Sequence, residues 1–235
     1  MSDTHLGIYP LRYEDVTDPL ILSQAIYPNM RKNYYWSDDF SPEFYIAQAK
    51  AGFIAVTDIF DGKELLLPEI QFSYALLHFD DLHISKKVAR LLRNRKPKLH
   101  ITADINKIDT VIHHIQQYHK QCWLTPKYAN TLKETCSVTD NFQLVTSYIE
   151  EYGNMIAGEL GYIIGDTYTS LSGFSSREKY YRNYGTTQLV LLAKYLQENG
   201  FAFWNLGQSY MPYKFSLGAK QYDRSHFLKH WFNHI

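Results

Sequence analysis

The pattern of apolar and polar positions divides the chain into short helices and strands. Apolar residues recur with helical spacing across residues 105–115, directly after Asp104, which predicts a helix capped by that aspartate. Ser41-Pro42 and Thr125-Pro126 each place a capping hydroxyl before a proline, which is typical of a helix start. Gly52 follows the last turn predicted for the first of these two helices.

The second half of the chain contains three consecutive β-rich runs, Phe142–Tyr152, Met155–Gly165 and Thr167–Phe174. Because the turns between them are tight, they predict an antiparallel meander. A helix over Gln188–Glu198 is predicted next, with Thr186 or Thr187 as its cap. A strand over Phe201–Leu206 follows it. The order of helices, meander, helix and strand predicts a mixed α/β fold with a largely antiparallel sheet.

Residues 1–80 are predicted to form a small N-terminal lobe, and residues 81–235 the main domain. The first forty residues contain three prolines and are predicted to be loop-like. A strand over Phe53–Val56 and a tight turn at Asp61-Gly62 before Glu64–Leu67 give the lobe local structure. A chain of 235 residues is long enough to bury a substantial core as one domain with a small lobe.

The order of elements resembles the GNAT fold of the N-acetyltransferases, and it implies a GNAT-like domain of the α+β type. Those enzymes place a pyrophosphate-binding loop before the helix that follows the meander, and Arg182–Thr187 occupies this place. Free backbone amides and the positive end of a helix dipole attract phosphate. A coenzyme A-dependent N-acetyltransferase is therefore one interpretation. In the other, Gly185 merely enters an N-capped helix.

A closer resemblance, to the leucyl/phenylalanyl-tRNA–protein transferases, depends on seven segments in family order. They are Ser41-Pro42 with Gly52-Phe53-Ile54, Leu82-His83-Ile84-Ser85, Trp123-Leu124-Thr125, Ala157–Tyr162, Phe174-Ser175, Gln208, and Ser216–Ala219. The resemblance implies an aminoacyltransferase that moves a bulky apolar amino acid of the Leu or Phe type from aminoacyl-tRNA to an amine. The expected acceptor is a protein or peptide N-terminus, which would tag that protein for degradation as an N-degron. No cofactor is expected beyond aminoacyl-tRNA as the co-substrate.

Two carboxylates of the family pattern are absent. Leu206 stands where an aspartate is expected two residues before Gln208, and Leu171 stands where the family has a glutamate. We expect Leu171 to weaken selection for an N-terminal Arg or Lys and to favour a neutral N-terminus or a small amine. The loss of the aspartate at Leu206 weakens any proton shuttle through this position. Gly173 replaces a methionine, which would enlarge the pocket for the donor side chain. A homologue that binds tRNA or peptide without turnover is the third interpretation.

The implied chemistry is aminolysis of the ester that joins an amino acid to the terminal ribose. Because this ester is already activated, positioning supplies much of the acceleration. An amide side chain can orient an amine and donate to an oxyanion, so Gln208 and Asn205 are the predicted catalytic residues. Substrate-binding residues are predicted at Trp123, Gly158, Tyr168, Leu171, Ser172, Gly173, Phe174 and Ser175. Trp123 is either a stacking platform for the terminal adenine or part of the core.

The 24 basic and 24 acidic residues balance over the whole chain, but seven of the basic ones lie between Lys86 and Lys98, a segment without an acidic residue, so the rest of the chain carries a net charge of −7. This segment coincides with a helix predicted from Ile84 to about Arg95, which Pro97 ends. Its basic residues are Lys86, Lys87, Arg90, Arg93, Arg95, Lys96 and Lys98. Because A-form RNA is recognised largely through its phosphates and shape, these seven residues are the predicted tRNA-binding surface. The alternative is an ordinary solvated helix face.

Composition excludes several other classes of protein. No apolar run approaches the length of a membrane span, and Met1–His5 has neither the basic nor the apolar part of a secretory signal. Cys122 and Cys136 cannot form a disulfide framework, which favours a reducing compartment and a cytoplasmic location. The histidines of residues 113–119 lack the spacing of metal ligands, so no metal site is expected. Neither DNA nor a membrane is an expected partner.

Overall fold

The structure is a computed structural model, and it describes residues 8–235. The strands of this part of the chain are β1 (Tyr9–Pro10), β2 (Tyr35–Trp36), β3 (Ile54–Phe60), β4 (Lys63–Glu69), β5 (Ser73–Leu77), β6 (Leu99–Thr102), β7 (Phe142–Glu151), β8 (Asn154–Ile164), β9 (Thr167–Ser175), β10 (Phe203–Gln208) and β11 (Lys220–Asp223). Seven of them form one sheet in the order β11-β5-β10-β9-β8-β7-β6. Every pair in this sheet is antiparallel except β9 and β10, which are parallel.

Helices pack on both faces of the large sheet. The α-helices of residues 8–235 are α1 (Tyr13–Thr17), α2 (Pro19–Ile21), α3 (Pro42–Lys50), α4 (Lys86–Arg95), α5 (Ile105–Tyr118), α6 (Pro126–Glu134), α7 (Tyr184–Glu198), α8 (Pro212–Ser216) and α9 (Arg224–Phe232). The apolar face of α5 packs in one core with Leu144 and Leu160. Val190, Ala193 and Leu196 of α7 pack with Trp204 in a second core.

The predicted meander and the strand that follows it are confirmed. β7 and β8 are joined by Tyr152 and Gly153, which both have positive φ as a two-residue hairpin turn requires. β8 and β9 are joined at Gly165. A Cβ at Gly165 would lie 2.0 Å from the backbone oxygen of His234, so only glycine lets the C-terminal segment pack here. The fold is mixed α/β with a mainly antiparallel sheet, as predicted.

The helix starts predicted from cap-plus-proline patterns are also confirmed. The Ser41 hydroxyl accepts from the backbone N–H of Phe44, and that of Thr125 accepts from the backbone N–H of Tyr128. Ser85 caps α4 in the same way, so this helix begins at Lys86 rather than at the predicted Ile84. Asp104 caps α5 by accepting from the Asn106 N–H.

Three details of the sequence prediction are wrong. The first forty residues are not simply loop, because α1, α2 and a π-helical turn at Leu22–Ile26 occupy part of them. Asp18 caps α2 and Pro19 fills its first position, so a proline starts a helix where it was expected to prevent one. α7 begins at Tyr184 rather than after Thr186 or Thr187, because Asn183 adopts a left-handed conformation at its N-cap. The strand predicted from Phe201 begins at Phe203 and continues to Gln208.

Residues before position 80 contribute a strand to the large sheet. β5 lies inside it, between β10 and β11, whereas β3 and β4 form a separate hairpin. The small lobe of residues 1–80 therefore contributes one strand to the main sheet, and the division into two domains at residue 80 stays a prediction. The predicted absence of a secretory signal concerns Met1–His5, which lies outside the described residues.

Candidate active site

A cavity of about 780 Å³ opens where two parallel strands separate. Backbone pairing between β9 and β10 covers residues 167–169 and 203–205. The residues that follow on both strands, 170–175 and 206–208, line the cavity. Leu160 and Gly161 of β8 pair with Ser172 and Ser170, so Leu171 is an extra residue that bulges from β9. The bulge lies where β9 leaves β10, and it brings Leu171 to the cavity wall.

Gln208 reaches the cavity through a second irregularity, at the end of β10. The pairing of β10 with β5 shifts between Asn205 and Gln208, and Gly207 has a positive φ of 73°. The Asn205 carboxamide oxygen accepts a hydrogen bond of 2.9 Å from the Gly207 N–H and so holds this bulge. Asn205 is 1% exposed and does not line the cavity, whereas Gln208 does. Asn205 thus holds the backbone at Gly207, the residue directly before Gln208.

The Gln208 amide has a fixed orientation. Its Nε2 donates to Glu69 Oε2 at 3.0 Å, and its Oε1 accepts a hydrogen bond from the Tyr210 hydroxyl. Glu69 is itself held from the other side, where Asn33 Nδ2 donates to its Oε1 at 2.6 Å. Because the carboxylate of Glu69 can only accept, the amide nitrogen of Gln208 must face it, and a flipped amide would place its oxygen against Glu69 and lose that hydrogen bond.

A second carboxyl group, that of Glu159 on β8, lies in the wall of the same cavity. Its Oε1 accepts from the Tyr168 hydroxyl at 2.7 Å and from the Ser170 hydroxyl at 3.0 Å. Trp204 Nε1 donates to the Ser170 hydroxyl at 2.8 Å and fixes that residue in turn. Burial raises the pKa of Glu159 to about 7, although the two hydrogen bonds and the charge of Lys214 lower it.

Lys214 of α8 supplies a buried amine to the cavity. Its Nζ donates to the Gln208 carbonyl oxygen at 2.7 Å, although the residue is only 4% exposed. Burial lowers the pKa of Lys214 to about 8, and the nearby carboxyl of Glu159 raises it. Two groups that exchange protons near neutral pH therefore line one cavity, which is typical of catalytic sites.

The residues predicted to bind substrate line the cavity, with one exception. Those that line it are Trp123, Gly158, Leu171, Ser172, Gly173, Phe174 and Ser175. Tyr168 does not line it, because its ring is buried in the core against Trp204 and its hydroxyl is bonded to Glu159. Tyr168 therefore lies behind the cavity wall and contacts the cavity only through Glu159. Leu206 and Met211 add two further apolar side chains to the cavity wall.

Trp123 lies between the core and the cavity, and its role as a stacking platform for the terminal adenine stays a prediction. It is half-buried, it lines the cavity, and its ring lies 5.6 Å from that of the buried Tyr128. Gly158 and Gly173 are set by close packing of β8 against its neighbours, since a Cβ at Gly173 would lie 2.9 Å from the Gly158 carbonyl oxygen. The space beside Gly173 is therefore limited on the side of β8.

The seven predicted tRNA-binding residues are all exposed, and none of them lines the cavity. They are nevertheless connected to it. The Arg95 guanidinium lies 3.9 Å from the centre of the Tyr180 ring, next to Lys179 and close in sequence to Arg177 and Arg182. These last three basic residues are exposed and line the cavity. The contact between Arg95 and Tyr180 thus connects α4 to the segment whose basic residues, together with Glu178, line the cavity.

Glu159, Lys214 and Glu69 were not among the predicted site residues. Glu159 gives a detectable sequence signal, because it is an acid inside the β-rich run of residues 155–164. Lys214 gives none, because its burial depends on how α8 folds back over the end of β10. Glu69 lies 139 residues from Gln208 in sequence, so only the fold brings the two together.

Within residues 8–235, no helix has both the length and the apolar character needed to cross a bilayer. The same residues contain no group of three His, Cys, Asp or Glu side chains placed to hold a metal ion. Cys122 and Cys136 are both free thiols, and burial raises the pKa of each.

Residues 76–231, about two thirds of the chain, match the family model described as leucyl/phenylalanyl-tRNA protein transferase. The chain therefore belongs to that family of transferases. The matched segment includes Glu159, Gln208 and Lys214, whereas Glu69 lies before it. No curated protein matches the chain in sequence.

Several solved structures are similar to this chain at low sequence identity. The structure of L-PGS from Bacillus licheniformis aligns with a TM-score of 0.42 and 11% identity, over 74% of this chain and 51% of that one. A C-terminal domain from Agrobacterium fabrum, described as part of a putative lysylphosphatidylglycerol synthetase, aligns with a TM-score of 0.41 and 14% identity, over 74% and 54%. FemX aligns with a TM-score of 0.48 and 10% identity, over 91% and 76%. The chain spans about half the length of the first two proteins.

Proposed function

We propose that this protein transfers a bulky apolar amino acid, of the Leu or Phe type, from aminoacyl-tRNA to an amine. A protein N-terminus is the foremost acceptor, and such a transfer would tag the acceptor protein for degradation. Family membership over residues 76–231 supports the reaction class. The observation that carries the proposal is Gln208, whose amide is held in one orientation in the cavity wall by Glu69 and Tyr210.

The reaction needs little more than orientation. An aminoacyl ester is activated, and a free α-amine with a pKa near 8 has a useful neutral fraction near pH 7. The attack converts the ester carbonyl into an oxyanion, which needs a hydrogen-bond donor. One N–H of Gln208 Nε2 goes to Glu69, and the other reaches the Tyr34 hydroxyl at 3.4 Å. This second N–H would leave its long hydrogen bond to meet the oxyanion, while Lys214 holds the backbone carbonyl of Gln208.

The shape and charge of the cavity suit the two ends of an aminoacyl-tRNA. Apolar side chains of Trp123, Leu171, Phe174 and Leu206 line it and would receive the donor side chain. The exposed Arg177, Lys179 and Arg182 would meet the terminal phosphates, and α4 would follow the acceptor stem. Trp123 offers a ring for stacking the terminal adenine.

The acceptor is expected to have a neutral N-terminal residue. Leu171 and Leu206, which stand in place of the two family carboxylates, both line the cavity. An Arg or Lys side chain placed against these two leucines would lose its hydration there without gaining a partner from either of them. A neutral side chain or a small amine would not have this cost.

The proposal is tested by incubating the purified protein with a pool of radiolabelled aminoacyl-tRNAs and peptides covering every N-terminal residue. Label from Leu or Phe should enter peptides with neutral N-termini. Saturable tRNA binding without any label in peptide would instead identify a binding homologue that has lost the reaction. Label confined to peptides with N-terminal Arg or Lys would contradict the acceptor assigned here.

One observation favours coenzyme A-dependent acetyl transfer as a second candidate. Residues 182, 183, 185 and 186 line the cavity, and no side chain caps the start of α7, so free amides face a potential phosphate. The glycine has another explanation, since a Cβ at Gly185 would lie 3.1 Å from Ser175 Cβ. Saturable acetyl-CoA binding that is lost in Gly185→Val, with no tRNA binding, would favour this candidate.

A further inference from the structure

Glu159 is the carboxyl group of the cavity that is buried most deeply. It is 4% exposed and lies on a central strand of the large sheet. Both hydrogen bonds to its carboxyl group, from Tyr168 and Ser170, reach Oε1. Among residues 8–235 no side chain or backbone group donates to Oε2, which is left for a ligand in the cavity that Glu159 lines.

We propose that Glu159 accepts the proton of the attacking amine and returns it to the ribose oxygen that leaves. This inference rests on the proposed aminoacyl transfer. Glu159 is then the group that moves the proton. Gln208 cannot move it, because a carboxamide orients and donates but does not take up a proton near neutral pH.

The step balances as a single exchange. The amine nitrogen attacks the ester carbonyl carbon, a C–N bond forms, and the carbonyl becomes an oxyanion. A proton passes from that nitrogen to Glu159 Oε2. The oxyanion then reforms the carbonyl, the bond between carbon and the ribose oxygen breaks, and the proton passes from Glu159 to that oxygen. The products are an amide and a free ribose hydroxyl, and Glu159 is again a carboxylate.

The surroundings of Glu159 suit this task better than a structural one. A carboxyl group costs free energy to bury, and a buried polar group that served only packing would have both oxygens bonded. Here one oxygen is bonded twice and held by the Trp204–Ser170 contact, so the other has a fixed direction. Glu159, Glu69 and the exposed Glu178 are the carboxylates that line the cavity, and of the two buried ones Glu159 alone has a carboxyl oxygen without a protein donor among the described residues.

Three other titratable groups lie near Glu159, and their pKa values decide which of them can contribute to the pH dependence of the transfer rate. Tyr168 on β9 donates to it, and burial raises the pKa of Tyr168 far above the working range. Tyr213 and Lys214 approach from α8. Desolvation raises the pKa of the half-exposed Tyr213 to about 12 and lowers that of the buried Lys214 to about 8. Lys214 is therefore the second group of the cavity that can titrate near neutral pH.

The test compares wild-type protein with Glu159→Gln, which keeps the shape and can still accept from Tyr168 and Ser170. Single-turnover transfer from aminoacyl-tRNA to peptide should fall by about 100-fold or more, with the affinity for aminoacyl-tRNA changed by less than about twofold. The wild-type rate should rise with pH through two groups, Glu159 near 7 and the acceptor amine near 8, whereas the variant should keep only the rise that belongs to the amine. Glu198→Gln, an exposed change on α7, is the matched control.

A second variant keeps the inference testable if Glu159→Gln is poorly folded. Tyr168→Phe removes one hydrogen bond to the carboxylate, so the low-pH limb should move to higher pH while transfer persists. Transfer by Glu159→Gln at the wild-type rate, or an unchanged pH profile in Tyr168→Phe, would overturn the inference and leave the proposed function standing. Absence of transfer by the wild-type protein from every aminoacyl-tRNA would overturn both.

Discussion

Gln208 donates its side-chain amide to the carboxylate of Glu69 at 3.0 Å. This hydrogen bond ties the end of β10 in the large sheet to the end of β4 in the small hairpin. Glu69 lies outside residues 76–231, which match the family model. The orientation of the candidate catalytic amide therefore depends on a part of the chain that the family match does not include.

Glu69→Gln tests this dependence. A carboxamide at residue 69 can accept or donate, so the Gln208 amide loses its single orientation. We expect transfer to slow by more than about tenfold, with tRNA affinity nearly unchanged, because the change affects alignment rather than binding. Rates and affinities of Glu69→Gln and of the exposed control Glu198→Gln are compared. Equal transfer rates for the two variants would show that Glu69 does not orient Gln208.

The basic surface of α4 is expected to set tRNA affinity. Replacing Arg90 and Arg93 by alanine should weaken tRNA binding and reduce the slope of log K against log salt by about 0.7–0.9 for each phosphate that the variant no longer neutralises. Filter binding between about 50 and 200 mM salt, a range over which phosphate-dominated affinity falls steeply, measures both quantities. The double variant Arg31→Ala with Lys229→Ala removes two exposed charges outside α4 and serves as the control. An equal drop in affinity in this control would mean that tRNA binds through general charge.

Leu171→Glu is expected to change the choice of acceptor. The new carboxyl group would lie in the cavity wall and could pair with a basic side chain. Transfer to peptides with N-terminal Arg or Lys should increase relative to N-terminal Ala. Leu171→Gln, which has the same length and no charge, is the matched control. A preference that stays the same in Leu171→Glu would place the acceptor side chain elsewhere.

The buried carboxyl group of Glu159 should make stability fall as pH rises. Its pKa is about 7 in the folded protein and 4.5 ordinarily, so between these values the folded state keeps a proton that the unfolded state has released. Stability contributed by this proton is complete below about pH 4.5 and is lost as the pH passes about 7, a change of about 3 kcal/mol. Lys214 acts outside this window, because its lowered pKa of about 8 affects stability only at higher pH.

Glu159→Gln should accordingly be more stable than the wild type at pH 8 by up to about 3 kcal/mol, with little difference at pH 4.5. Urea unfolding at the two pH values measures this difference. A variant that is less stable than the wild type at pH 8 would show that Glu159 is a structural group.

Arg224 should be the most sensitive position for the small lobe. Its buried guanidinium donates to six backbone carbonyl oxygens, which belong to Ile26, Tyr27, Asn29, Lys32, Ile70 and Gln71. Arg224→Met leaves these acceptors without that donor and should cost about 3 kcal/mol or more in urea unfolding. The same change at exposed Arg31 should cost less than about 0.5 kcal/mol. Similar costs at both positions would contradict this role.

Local chemistry explains which elements could be predicted from the sequence. The caps of α3, α5 and α6 depend on neighbouring residues, and the turns of the meander depend on Gly153 and Gly165. The start of α7 was missed because Asn183 adopts a left-handed conformation, which no local pattern required. The family resemblance identified Gln208, which the structure places in the cavity wall.

Long-range packing explains the rest of the site. Asn205 was predicted to be catalytic, but its side chain turns to its own backbone at Gly207. Glu69 and Lys214 meet Gln208 only after β4, β10 and α8 have packed together. Sequence spacing does not reveal contacts between residues that are far apart in the chain. Glu159 is different, because an acidic residue inside an apolar strand can be recognised from the sequence.

Transfer of labelled Phe from Phe-tRNA to a peptide with N-terminal Ala, by wild-type protein and by Gln208→Ala, tests the proposed reaction and its central residue most directly. We expect peptide labelling by the wild type, a fall of about 100-fold or more in the variant, and tRNA affinities within about twofold of each other. Labelling that is equal in both proteins would contradict the role of Gln208. Tight tRNA binding with no labelling by the wild type, for Phe and for every other amino acid, would contradict the proposed reaction itself.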